Sequence, residues 1–302
     1  MTKKSNKEKQ SVSLVLGSGG ARGLAHIGVI KWLEENDYEV KSIAGCSIGA
    51  MVGGVYAAGK LSDLEEWMCS ISKMDMANLL DISWGNGGIF KGDKVIETLK
   101  DLIGDAEIDN LNIPFTAVAA DMITQKEVWI NKGSLFDAIR ASISLPLFFT
   151  PVKRGDKLLI DGGVLNPVPI APTFNDQTDL TIAVNLGGPL LKKNEEAPEP
   201  EEKDEKEGWG KFQKNIQDFI SKYSSNDDSD EKNWGMYQVA DRAFDTMQSS
   251  IARMKIATYP PDVEIKIARN SCGTLDFDQA SHMIDLGYKR AKEAFDANHK
   301  VV

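Results

Sequence analysis

Residues 11–23 read SVSLVLGSGGARG and decide how the rest of the chain is parsed. Val12 to Leu16 is a short apolar run that ends abruptly in glycines, the pattern of a strand buried on both faces. The following residues, from about Ala21 to Glu35, place Leu24, Ile27, Val29, Ile30 and Leu33 at helical spacing. A buried strand running through a glycine loop into a helix is the opening unit of an α/β protein.

The same rhythm continues. Val40 to Ala44 reads as a strand and Ile48 to Ala58 as a small, apolar helix stopped near Gly59. Helices are expected near Ser62 to Ser70 and Gly92 to Leu102. Strands are expected at Pro114 to Ala120 and Glu127 to Ile130. A helix from Leu135 to Ser144 ends before Pro146. Leu158 to Ile160 and Leu180 to Leu186 read as strands, Met236 to Met254 as a long helix, Asp262 to Ile267 as a strand, and Asp278 to Ala297 as a closing helix. The expected fold is an α/β three-layer sandwich, with a mainly parallel central sheet and helices on both faces.

Two stretches fall outside this rhythm. Residues 1–10 read as a polar, disordered lead. Residues 192–232 hold 13 acids and 8 bases, opening with Glu195-Glu196-Ala197-Pro198-Glu199-Pro200-Glu201-Glu202, and read as an acidic, partly disordered insert within an 11–302 domain. Inside the insert, Trp209, Phe212, Ile216, Phe219, Ile220 and Tyr223 form an amphipathic stripe, expected to dock on a membrane surface or on the body of the protein.

The formal net charge of −10 argues against a nucleic-acid partner, and about half of it comes from the insert, so an anionic substrate stays open. No run approaches the roughly 18 apolar residues of a membrane span, and the N-terminus lacks a signal-peptide pattern. A cytoplasmic location is the expectation; for 209–223, peripheral membrane contact is one reading, beside a helix packed on the body and a solvated insert that covers the active site. Cys46, Cys69 and Cys272 match no metal spacing and read as reduced thiols; no cofactor is expected.

Three glycine-containing turns carry the chemistry. Gly17-Ser18-Gly19-Gly20-Ala21-Arg22-Gly23 joins a strand to a helix, where backbone N–H groups and the helix N-terminus can hold an oxyanion or a phosphate. It fits neither nucleotide-binding pattern: Arg22 stands where a dinucleotide loop needs its third glycine, and no Gly-Lys-Ser/Thr follows. Gly45-Cys46-Ser47-Ile48-Gly49 sits between a strand and a helix, the setting of a nucleophile elbow, with Ser47 raised on a tight turn between Gly45 and Gly49. Asp161-Gly162-Gly163 follows the strand Leu158 to Ile160 and supplies a carboxylate. The base for Ser47 has two readings. A histidine would come from His26, His282 or His299; alternatively, Asp161 takes the proton directly, its pKa raised by burial.

The ordered set resembles the patatin-like phospholipase family, close to its small bacterial members and to the esterase domain of neuropathy-target-esterase-like proteins. The matching residues run from Leu16 to Val29, then Gly45 to Ala50, then Ala141-Ser142-Ile143-Ser144-Leu145-Pro146, then Asp161 to Pro169. The resemblance implies a Ser47–Asp161 dyad, an oxyanion hole of backbone around Gly19 and Gly20 with Arg22 as partner of that loop, and an acyl lipid or phospholipid substrate. It removes His26 from catalysis. Ser18 departs from the pattern, since many members carry glycine there. Leu145 to Phe149 lines an acyl groove or belongs to the core. The competing functions are a nucleotide- or phosphate-binding protein and a non-catalytic regulator on the same fold.

Overall fold

A computed structural model describes residues 9–79, 92–146, 148–190 and 236–298. The insert 192–232 with its apolar stripe, and the lead up to residue 8, lie outside the described residues. Five strands form the parallel heart of one sheet: β1 (Gln10–Leu16), β2 (Tyr38–Cys46), β3 (Phe115–Asp121), β7 (Leu180–Gly188) and β8 (Val263–Ala268), in the order β3-β2-β1-β7-β8. β1 begins one residue before the expected start of order. An antiparallel wing extends β3: β4 (Lys126–Ile130) and β6 (Lys157–Asp161) pair with it, and β5 (Val152–Arg154) pairs with β6. The sheet is therefore mixed but mainly parallel.

The helices are α1 (Ala25–Glu35), α2 (Ile48–Ala57), α3 (Leu61–Ser70), α4 (Lys73–Leu79), α5 (Asp93–Ile103), α6 (Leu135–Ser142), α7 (Met236–Thr258) and α8 (Ala280–Asn298). Strand periodicity assigns them to two layers. Leu14, Leu16, Ile182 and Val184 point to one side and join the main core, with Ile27 and Ile30 of α1, Val52 and Val55 of α2, Phe136 and Ile139 of α6, and Met283 of α8. Val15 and Ala183 point the other way. They pack against Val168, Ile170 and Ala252, the last from α7. The sandwich is thus asymmetric, with α7 and the 168–170 segment covering the second face.

Three elements differ from expectation. The glycine loop passes first through a 3-10 turn, Gly20–Leu24, before α1 begins. Helix α4 and strand β5 are short, and neither carries an apolar repeat long enough to read from sequence. Phe148 is buried in the main core, with Leu145 and Phe149 packed against it, which favours the core reading of that run.

The wing explains why two distant turns meet. Cys46, the last residue of β2, pairs with Val118 of β3, while Asp161, the last of β6, pairs with the next residue, Ala119. β4 occupies the opposite edge of β3 at both positions. Hence β2 and β6 lie end to end along one edge, one parallel and one antiparallel to β3, and their C-termini converge.

Candidate active site

Ser47 follows β2 directly and precedes the first residue of α2. Its φ of 56° and ψ of −126° are those of a non-glycine residue held in a sparsely populated region. Such a backbone costs on the order of 1–3 kcal/mol and persists only where neighbours fix it. The fixing contacts come from the end of α6. The Ser47 N–H donates to Ser142 Oγ (2.8 Å), and Ser142 Oγ–H donates to the Val118 carbonyl (2.7 Å). Two residues on, the Ser144 carbonyl accepts from the Asp161 N–H (2.9 Å). One short segment therefore clamps both turns. It lies within a motif quoted above for resemblance, but its clamping role has no periodicity or composition signal.

The elbow also needs close approach. A Cβ on Gly49 would sit 2.2 Å from the Leu16 carbonyl oxygen, so only glycine lets the start of α2 rest on the end of β1. Gly45 lies in β2 ahead of Ser47. Ser47 is nearly buried, with its side at the N-terminus of α2, where the helix field favours negative charge.

Asp161 is fully buried. It heads the 3-10 turn Gly162–Val164, and its Oδ1 accepts from the Gly163 N–H (2.7 Å) and, weakly, from Cys46 Sγ (3.9 Å). Oδ2 is buried without a hydrogen-bond partner. Burial pushes the carboxyl pKa up to about 6, against the lowering pull of the nearby Ser47 hydroxyl, the Gly163 N–H and the Cys46 thiol. Burial first, then the charges of Asp161 and Glu127, keep the Cys46 thiol well above its ordinary value, so it stays protonated.

The glycine loop lies above the ends of β1 and β7. The N–H groups of Gly17, Ser18 and Ala21 donate to the carbonyls of Val184, Pro167 and Thr274 (3.1, 2.8 and 2.9 Å). Those of Gly19 and Gly20 close no hydrogen bond among the described residues. Gly20 has φ of +59°, and a Cβ there would fall 2.4 Å from the Thr274 carbonyl oxygen. Ser18 keeps the turn and accepts from Gln248 Nε2 of α7 (3.1 Å). Arg22 is buried beneath the loop. Its Nε donates to the Gly19 carbonyl (3.0 Å), and its terminal nitrogens reach Asp245 of α7 and the Arg269 carbonyl.

Two of the three histidines lie among the described residues. His26 is fully buried, and burial lowers its pKa to about 4, so it is neutral. A neutral ring facing a carbonyl must donate, so Nε2–H donates to the Gly17 carbonyl (2.9 Å). His26 thus braces the start of the glycine loop. His282 lies on α8, and His299 lies outside the described residues.

A mainly parallel sheet, a strained serine between β2 and α2, and a buried aspartate at the end of β6 define an α/β protein with a patatin-like fold. The Patatin-like phospholipase family model matches residues 14–174, spanning all three turns, and the chain belongs to that family. An uncharacterized NTE family protein of Mycobacterium bovis is 34% identical, over 95% of this chain and 91% of the relative. Neuropathy target esterase sws of Drosophila melanogaster is 28% identical over 96% of this chain, which corresponds to 20% of that larger protein. Among solved structures, VipD from Legionella pneumophila aligns over 96% of this chain and 67% of its own, at 13% identity and a TM-score of 0.47.

Proposed function

We propose that the protein is a serine-dependent lipid acyl hydrolase. Ser47 Oγ attacks an ester carbonyl while Asp161 takes its proton. The tetrahedral oxyanion lies against the N–H groups of Gly19 and Gly20; Asp161 passes the proton to the departing alcohol, and, ionised again, takes a proton from the water that attacks the acyl-enzyme and returns it to Ser47 Oγ as the fatty acid leaves. The observation that carries this reading is the convergence of the β2 and β6 termini on adjacent residues of β3, which sets a serine beside a buried carboxylate of raised pKa. His26 is committed to the glycine loop, so Asp161 is the base at hand.

The family and its esterase relatives support an acyl-lipid substrate. Gly162 and Gly163 form the turn that presents Asp161. The nucleotide-binding alternative is disfavoured by the loop, because the N–H groups of Gly17, Ser18 and Ala21 are already paired within the protein and Arg22 and Gly23 lie inside the 3-10 turn.

A fluorophosphonate probe tests the assignment. Wild type should be labelled and Ser47→Ala should not; Asp161→Asn should lose hydrolysis of acyl esters while remaining folded. Full activity in either variant overturns the dyad.

A further inference from the structure

We infer that Asp245, on α7, is a positioning residue for the oxyanion loop, acting through Arg22; this rests on the acyl-transfer reading above. Arg22 Nε donates to the Gly19 carbonyl at 3.0 Å. In a trans peptide the C=O and the following N–H point in opposite directions, so holding the Gly19 carbonyl aims the Gly20 N–H away from Arg22. Whatever orients the guanidinium therefore orients the donor.

Two groups orient it through three acceptor oxygens. Asp245 accepts from both terminal nitrogens, Oδ1 from Nη2 at 2.7 Å and Oδ2 from Nη1 at 3.2 Å, and the Arg269 carbonyl at the end of β8 accepts from Nη1 at 2.7 Å. The Arg22 side chain is 4% exposed and that of Asp245 31%. A two-pronged carboxylate–guanidinium pair fixes the plane as well as the position of the fork. One turn further along α7, Gln248 donates to Ser18 Oγ and is buried. A narrow crevice lined by Ser18, Arg22, Leu186, Asp245 and Gln248 separates the helix from the loop. α7 thus grips the loop at two points, although it lies on the face of the sheet opposite α2.

Asp245 also neutralises Arg22. The pair therefore contributes direction to the site and little net positive charge. This separates the inference from a role for Arg22 as a free cation beside the oxyanion. Removing Asp245 frees the guanidinium: if its charge were what mattered, activity would rise, and if its orientation matters, activity falls.

The test uses the full chain and Asp245→Asn, which keeps the shape at a partly exposed position. The expected result is a fall in kcat of about tenfold or more, smaller than loss of a whole oxyanion donor, with KM unchanged. The inhibition constant of an acyl trifluoromethyl ketone, which forms a tetrahedral oxyanion on serine, should rise by the same factor; it is independent of the fraction of active protein. Asp245→Glu should recover part of the loss. In a cycle with Arg22→Gln, the double variant should be no worse than Arg22→Gln alone. Should Asp245→Asn fail to fold, Gln248→Ala is the second variant, with the same expected signature. Unchanged kcat and inhibition, a rise in kcat, or additive effects in the cycle would overturn the inference while leaving the dyad intact. If wild type neither hydrolyses esters nor is labelled at Ser47, the functional reading fails, and the inference falls with it.

Discussion

At Ser47 the backbone is strained because the turn between β2 and α2 must lift the hydroxyl clear of the sheet. Glycine adopts the same φ and ψ without the penalty. Ser47→Gly should therefore abolish ester hydrolysis while the melting temperature holds or rises, despite the greater chain entropy glycine gives the unfolded state. A clear fall in melting temperature would mean that the hydroxyl itself stabilises the fold. In the proposed reading, Asp161 sets the pH dependence. Its carboxyl must be ionised to accept a proton, and burial raises its pKa to about 6. In the reading proposed above, kcat/KM should rise from acid through an apparent pKa near 6 and then level off. A plateau extending to pH 4 would exclude Asp161 as the base.

At the scale of elements, the end of α6 does the most for the site. Ser142 receives the Ser47 N–H and gives its own proton to the Val118 carbonyl, both in a buried setting. Ser142→Ala should leave those two groups unpaired and cost about 1–3 kcal/mol in denaturant-unfolding experiments, with turnover falling because the elbow loosens. The chain as a sequence shows α6 but not this duty, since a serine near a helix end reads equally well as a surface residue. α7 is a similar case. Among the residues whose burial is described, its buried positions are Gln248, Ser249 and Ala252, while Met247 and Met254 are exposed. Apolar periodicity finds the helix but carries no signal for the buried polar positions. The polar half is buried because it faces the glycine loop, whose partners are hydrogen-bonding groups.

For the whole molecule, two buried groups give stability opposite slopes against pH. His26 has a folded pKa near 4, below its ordinary 6.5, so the unfolded state binds the proton more readily. Its contribution is full above pH 6.5 and is lost as pH falls towards 4. Asp161 has a folded pKa near 6, above the ordinary value of 3.8, so the folded state binds the proton more readily. It penalises the fold above pH 6, and the penalty is relieved as pH falls towards 3.8. At about 1.4 kcal/mol per pKa unit, each effect is on the order of 3 kcal/mol. The two nearly cancel between pH 6 and 4. Asp161→Asn should therefore be more stable than wild type at pH 7 and lose stability more steeply from pH 6 to pH 4, where the His26 slope is unmasked. Parallel unfolding free energies for the two proteins at pH 7, 6, 5 and 4 would contradict the assignment. Among the described residues, no helix is long and apolar enough to cross a membrane.

The sequence by itself determined the α/β class, the alternation of buried strands and helices, and the three glycine turns with Ser47, Asp161 and Gly19–Gly20 at their tips. These are local properties: a buried strand, a helix start and a tight turn each write their requirement into a few consecutive residues. Tertiary structure alone decided that β6 runs against β3 and ends where β2 ends, bringing Asp161 to Ser47 across more than a hundred residues of chain. It also decided that His26 braces the glycine loop, that Ser142 and Ser144 clamp the two turns, and that Asp245 reaches Arg22 from the other face of the sheet. Each of these depends on which strand edge is left open and which polar group is buried beside another, and such long-range pairings leave no periodic trace in the chain.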